Sequence, residues 1–78
     1  NKLVYRGIFM KITVNGEETT LEKAITVNEL LLVAKAEMPE YVTVQVNDEF
    51  IDRQNFATTL INDGDIVEFL YFMGGGRL

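Results

Sequence analysis

The stretch Ile66-Val67-Glu68-Phe69-Leu70-Tyr71-Phe72-Met73, followed by Gly74, Gly75 and Gly76, constrains the fold of this chain more than any other. Apart from Glu68 its residues before the glycines are β-branched, aromatic or aliphatic, which suits a pleated, buried surface. No strand-like neighbour lies beside it in sequence. The tight turn Asn62-Asp63-Gly64-Asp65 delivers the chain into it, with Gly64 free to take positive φ. The strand must therefore find its partners far back in the chain. The three glycines that follow offer no core contact and a large conformational entropy, so residues 74–78 are expected to form a flexible tail on a rigid strand. A main-chain arm of this kind can be threaded into a narrow site on another protein, although an inert terminus or a linker has the same composition.

The remaining elements read in order. Met10-Lys11-Ile12-Thr13-Val14 alternates apolar with polar, the period of a half-buried strand, and Asn15-Gly16 follows at once as a type I′ hairpin signal. Glu17 to Leu21 then returns antiparallel, with Thr19 and Thr20 suited to an edge and Leu21 to the core. Thr26-Val27-Asn28-Glu29 has the form of a capping box and starts a helix. Val27, Leu30, Leu31 and Ala34 make its apolar stripe, Leu32 and Val33 widen that stripe into a deeply set helix, and Pro39 is expected to end it. Val42-Thr43-Val44-Gln45-Val46 alternates again. It is followed by the turn Asn47-Asp48-Glu49 and the short return Phe50-Ile51, a second hairpin. Asp52 to Thr59 reads as a connector with room for one helical turn, and Leu60-Ile61 as a plug for the core.

Hairpin, helix, hairpin, connector and strand, in that order, place the last strand beside the first, parallel to it and in the middle of the sheet. The expected fold is α+β: a β-grasp, ubiquitin-like mixed sheet of four to five strands with one main helix packed across it. The domain should span residues 10–73. Residues 1–9 precede Met10 without a clean period, and fit equally a leader, a flexible extension or an edge extension of the first strand.

Composition narrows the function. Seventy-eight residues make one small domain, and a domain of this size buries roughly 60% of the surface its unfolded chain exposes. With no cysteine there is no thiolate metal site or cysteine nucleophile, and with no histidine the commonest general base and metal ligand are both missing. A self-contained enzyme is not expected, no catalytic residue is assigned, and no bound cofactor or metal is foreseen. A net charge of −5 has the wrong sign for nucleic acid or an anionic membrane. No apolar run approaches the length of about 18 residues that a membrane span needs, and no export signal is recognisable, so the expectation is a cytoplasmic protein, monomeric when alone.

Parity along the last strand divides Val67, Phe69 and Tyr71 from Ile66, Glu68, Leu70 and Phe72. Glu68 marks the second set as the solvent face. That leaves Leu70, Phe72 and Met73 as an exposed apolar patch beside the tail and the candidate docking site for a partner. The acidic residues Glu17, Glu18, Asp48, Glu49, Asp52, Asp63 and Asp65 fall mostly in turns, where a solvated surface accounts for them and steering toward a basic partner is a secondary role.

Met10 to Gly16, Thr26 to Leu31, Val44-Gln45-Val46-Asn47, and Asp63 to Glu68 leading to Gly-Gly, taken together and at these spacings, give a sequence that resembles the ThiS family of sulfur carrier proteins. The resemblance implies a carrier acting as covalent cosubstrate of an E1-like (ThiF-like) adenylyltransferase. That enzyme uses ATP and Mg to adenylate the carboxylate of Gly76 and convert it to a thiocarboxylate. It further implies a ThiG-like thiazole synthase as the place where the sulfur is used in thiamin biosynthesis. A ubiquitin-like protein modifier and a molybdopterin-type sulfur carrier are the alternatives, since the same activated end serves all three. Members of that family usually end at Gly-Gly, whereas Arg77-Leu78 follow here; either these two residues are removed before use or they are not native.

Overall fold

The computed structural model describes residues 9–72, and in it two turns with left-handed residues set the sheet register. Asn15 and Gly16 have φ of 51° and 85°, and Asn47 and Asp48 have φ of 53° and 72°, the left-handed pair that a two-residue type I′ hairpin needs. The first turn joins β1 (Met10–Val14) to β2 (Glu17–Leu21), antiparallel with Val14 opposite Glu17. The second joins β4 (Thr43–Val46) to β5 (Glu49–Ile51), with Val46 opposite Glu49. Glu49 therefore belongs to the return strand and not to the turn, because Asp48 tolerates the left-handed region and closes the hairpin one residue sooner than expected.

Between the two hairpins lies β7 (Ile66–Leu70), parallel to β1 through Thr13 opposite Ile66 and antiparallel to β4 from Thr43 opposite Leu70 to Val46 opposite Val67. The five-stranded order is β2-β1-β7-β4-β5, the mixed β-grasp sheet, with the last strand at its centre. The strand is shorter than its apolar run suggests. β4 begins at Thr43, so partners run out at Leu70, and Tyr71 and Phe72 lie past the ladder.

The helix α1 (Val27–Val33) starts at the expected cap. Glu29 N–H donates to Thr26 Oγ1 at 3.1 Å, and Thr26 N–H donates to Glu29 Oε1 at 2.9 Å. Two further amino-terminal amides are satisfied from the connector, Val27 by the Thr59 carbonyl and Asn28 by the Phe56 carbonyl, both at 3.0 Å. The other end departs from the sequence reading. Pro39 does not terminate this helix; Lys35 does, with φ of 55°. Lys35 N–H donates to the Leu32 carbonyl at 3.1 Å and Ala36 N–H to the Leu31 carbonyl at 2.9 Å, a Schellman closure with lysine where glycine is usual. Nor is the apolar stripe wide. Val27, Leu30 and Leu31 are buried, but Leu32 is 78% and Val33 57% exposed, because steps of about 100° per residue carry them to the far side of a two-turn helix.

A second small sheet, β3 (Ile25–Thr26) against β6 (Leu60–Ile61), brackets the start of α1. Strands of two residues leave no periodic trace in sequence. Only half of the expected plug is buried: Ile61 is fully enclosed while Leu60 faces solvent. The connector holds a single 3₁₀ turn (Arg53–Asn55), after which Phe56 enters the core. That core lies between α1 and one face of the large sheet, built from Ile12 and Val14, Val42 and Val44, and Val67 and Phe69 under Leu30 and Leu31. Each such side chain, fully buried, contributes roughly 1.5–3 kcal/mol.

Candidate functional site

Every expected site residue depends on β7, so the site is built from what fixes that strand. Both hairpin-turn asparagines reach it. Asn15 N–H donates to the Val67 carbonyl at 2.9 Å, and its side-chain Oδ1 accepts from Phe69 N–H at 2.8 Å. On the opposite edge Asn47 N–H donates to the Ile66 carbonyl at 2.7 Å, and Asn47 Oδ1 accepts from Ile66 N–H at 2.9 Å. Left-handed backbone turns each asparagine back on the strand, where its amide imitates one more ladder residue. The turn before β7 is closed in the same way. Asp65 accepts from Asn62 N–H at 2.7 Å and from Asn47 Nδ2 at 2.9 Å, while Asp63 accepts from Lys11 N–H at 2.8 Å. These two aspartates, read from sequence as solvated surface, hold main-chain amides.

Alternation then separates the faces. Val67 and Phe69 point toward α1 and are buried, while Ile66, Glu68, Leu70 and Phe72 fall on the other side. Of the candidate docking residues Leu70 is half-buried, opposite Thr43, and Phe72 is 70% exposed. Met73, with the tail residues Gly74, Gly75 and Gly76, lies outside the described residues. The ladder adds a member that sequence reasoning missed. Glu68 is opposite Gln45 and Gln45 opposite Phe50, so Phe50, 60% exposed, shares the outer face with Ile66, 53% exposed. Cross-strand register alone reveals this, and register depended on the length of the second turn.

The helix side of the same strand is different. A groove of about 460 Å³ runs between the first hairpin and the residues after α1, floored by Val14 and Phe69 and flanked by Lys35 and Tyr71. The Tyr71 hydroxyl donates to the main-chain carbonyl of Glu37. Charge is one-sided across the domain: all twelve acidic residues but only Lys11, Lys23, Lys35 and Arg53 lie within 9–72, four minus twelve, or −8. Such a field favours a basic partner. Among the described residues no group of three or more Asp or Glu converges as a metal site would, and no helix is long and apolar enough to cross a membrane.

Known proteins share this architecture. A crystal structure of the thiamine biosynthesis protein ThiS from Geobacter metallireducens is 49% identical, with a TM-score of 0.80 over 86% of this chain and 100% of that one. A solution structure of a thiamine biosynthesis protein from the same organism is also 49% identical, with a TM-score of 0.68 over 88% and 91%. The chain also resembles a thiazole synthase from Paramagnetospirillum magneticum, at 36% identity over 67 residues, and one from Magnetococcus marinus, at 34% over 68 residues. It covers 20% and 21% of those two proteins, so it spans about a fifth of the length of the curated relatives it matches. The model of the ThiS family matches residues 4–76, and with half-identical structures of the same topology this establishes that the chain belongs to the ThiS family.

Proposed function

We propose that this chain is a sulfur carrier that is activated at the carboxylate of Gly76 and delivers its sulfur to thiazole formation. The observation that supports it best is the placement of β7. The strand is fastened on both edges at the centre of the sheet, and the sequence runs on from it through an exposed Phe72 and then Met73 to the three glycines. A carboxylate is a poor electrophile. In the proposed sequence a Gly76 carboxylate oxygen attacks the α-phosphorus of ATP and expels pyrophosphate; sulfide then attacks the acyl carbon and AMP departs, leaving the thiocarboxylate. The nucleotide site, the magnesium and the stabilisation of developing charge belong to an E1-like, ThiF-type partner.

This chain's own contribution is presentation. The outer-face residues Leu70, Phe72, Ile66 and Phe50 dock, the rigid strand sets the starting point of the arm, and glycines let it pass where a Cβ would not fit. The names of the curated relatives favour a ThiG-like thiazole synthase as acceptor over a molybdopterin-type partner or protein conjugation. The test is ATP–pyrophosphate exchange with the cognate E1-like enzyme, using a form ending at Gly76, the same form with Gly76→Ala, and the chain ending at Leu78. The Gly76-ended form should exchange and then acquire sulfur by intact mass, the alanine form should be much slower, and the Leu78-ended form should be inert. Equal exchange by the last, with Arg77-Leu78 still attached, would overturn the mechanism.

A further inference from the structure

Main-chain pairing releases β7 before the strand reaches the tail. Its last partner in β4 is Thr43, opposite Leu70, and on the β1 side its last link is the Asn15 amide on Phe69. One described hydrogen bond lies beyond those points, from the Tyr71 hydroxyl to the Glu37 carbonyl, across 34 residues of sequence. The acceptor segment is irregular. Lys35 and Met38 both have positive φ, at 55° and 47°, and the carbonyls of Pro39 and Val42 are taken up by the Arg53 guanidinium at 3.1 and 2.6 Å. Arg53 thus moors this segment to the connector, while Tyr71 moors it to the root of the tail. The Tyr71 ring has the parity of Val67 and Phe69 and lines the helix-side groove, so it grips the face opposite the one carrying Leu70 and Phe72.

We propose that Tyr71 is a positioning residue for the tail: its bond to Glu37 fixes the direction in which the chain leaves the fold relative to the outer docking face. The inference rests on the sulfur-carrier reading. Once that face is docked, the reacting carboxylate must be delivered from a root five residues away, Tyr71 to Gly76, a reach of at most about 17 Å when extended. Anchoring the root in one orientation narrows the volume within which an arm of this length can place its end relative to the docked face, and reactive alignment tolerates a misplacement of only ~1 Å. Docking affinity does not feel this angle. The unimolecular step that brings carboxylate and ATP together does.

The experiment is Tyr71→Phe in the Gly76-ended form, which keeps the ring and deletes the donor. ATP–pyrophosphate exchange is measured with the cognate E1-like enzyme, and thermal unfolding in parallel. The expected result is kcat lowered by about tenfold with KM and Tm unchanged. Phe72→Asp in the same background should move KM instead. Tyr71→Phe with the parent's kcat overturns the inference while leaving the carrier reading intact. So does a fall in kcat that tracks a fall in Tm, since the bond then serves only the fold. Absence of exchange by the Gly76-ended parent overturns both, and the parent's own rate separates that outcome from the others.

Discussion

Asn15 and Phe69, 54 residues apart, are joined by a 2.8 Å hydrogen bond from the Phe69 amide to the Asn15 side chain. Asn15 also occupies the first left-handed position of the β1–β2 turn. One residue therefore closes a local hairpin and prolongs the parallel pairing of β1 with β7 past the point where the main chain of β1 turns away. The central strand of the sheet is thereby tied to the first turn of the chain.

The two roles of Asn15 can be separated by substitution. Asn15→Gly keeps the left-handed turn but removes the acceptor, leaving the part-buried Phe69 amide unpaired, and should destabilise the domain by about 1–3 kcal/mol. Asn15→Ala loses the acceptor and also strains the turn, so it should be worse by about 1 kcal/mol. Urea denaturation of the three proteins gives the order. Equal stability of the glycine variant and the parent would show that the bond to Phe69 contributes nothing.

The orientation of α1 makes a sharper contrast between adjacent positions. Leu30 is fully buried and Leu32 is 78% exposed. Leu30→Ala should lose about 2–5 kcal/mol through lost transfer energy and a cavity, while Leu32→Ala should stay within about 0.5 kcal/mol. Chemical denaturation of the pair decides it, and comparable losses at both positions would restore the deeply set helix that the sequence suggests.

That difference shows which parts of this protein are legible before folding. The Thr26–Glu29 capping box and the Asn15-Gly16 turn are local, written in residues that touch each other, and both stand in the structure as read. The central place of β7 was legible because an apolar strand without a sequence neighbour has few places to go. The end of α1 was not, because Lys35 adopts a conformation that glycine normally signals. Phe50 was missed from the outer face because its side depends on a register set by one residue of turn length. The asparagine and aspartate contacts to β7 join groups that only the finished topology brings together. Gly74 to Gly76, the part of the candidate site most plainly marked in sequence, lie outside residues 9–72.

Lys35 gives a prediction of the opposite sign. With φ of 55° and an exposed side chain, it accepts a steric penalty that glycine would not meet. Lys35→Gly should relieve that strain and stabilise the domain by about 0.5–1 kcal/mol, net of glycine's greater freedom in the unfolded chain. Thermal unfolding reads the effect as a raised Tm. A lowered Tm would mean that the lysine stem makes a compensating contribution of its own.

The outer face calls for a choice between two neighbouring probes, and burial makes it. Leu70 is half-buried beside Thr43, so Leu70→Asp places a charge partly inside the sheet and should weaken both folding and docking. Phe72 is past the ladder and 70% exposed, so Phe72→Asp should leave Tm nearly unchanged. In the Gly76-ended form this change removes apolar contact area from the proposed docking face without altering the glycines on which the proposed activation depends. It should therefore raise KM for the E1-like enzyme by about tenfold, a loss of roughly 1.4 kcal/mol of binding, with kcat preserved at saturation. Exchange kinetics over a range of carrier concentrations separate the two constants. An unchanged KM at Phe72, in a protein whose Tm matches the parent, would remove this residue from the proposed docking face and leave the exposed Ile66, at the start of β7, and Phe50, in the Glu68–Gln45 row, to form it.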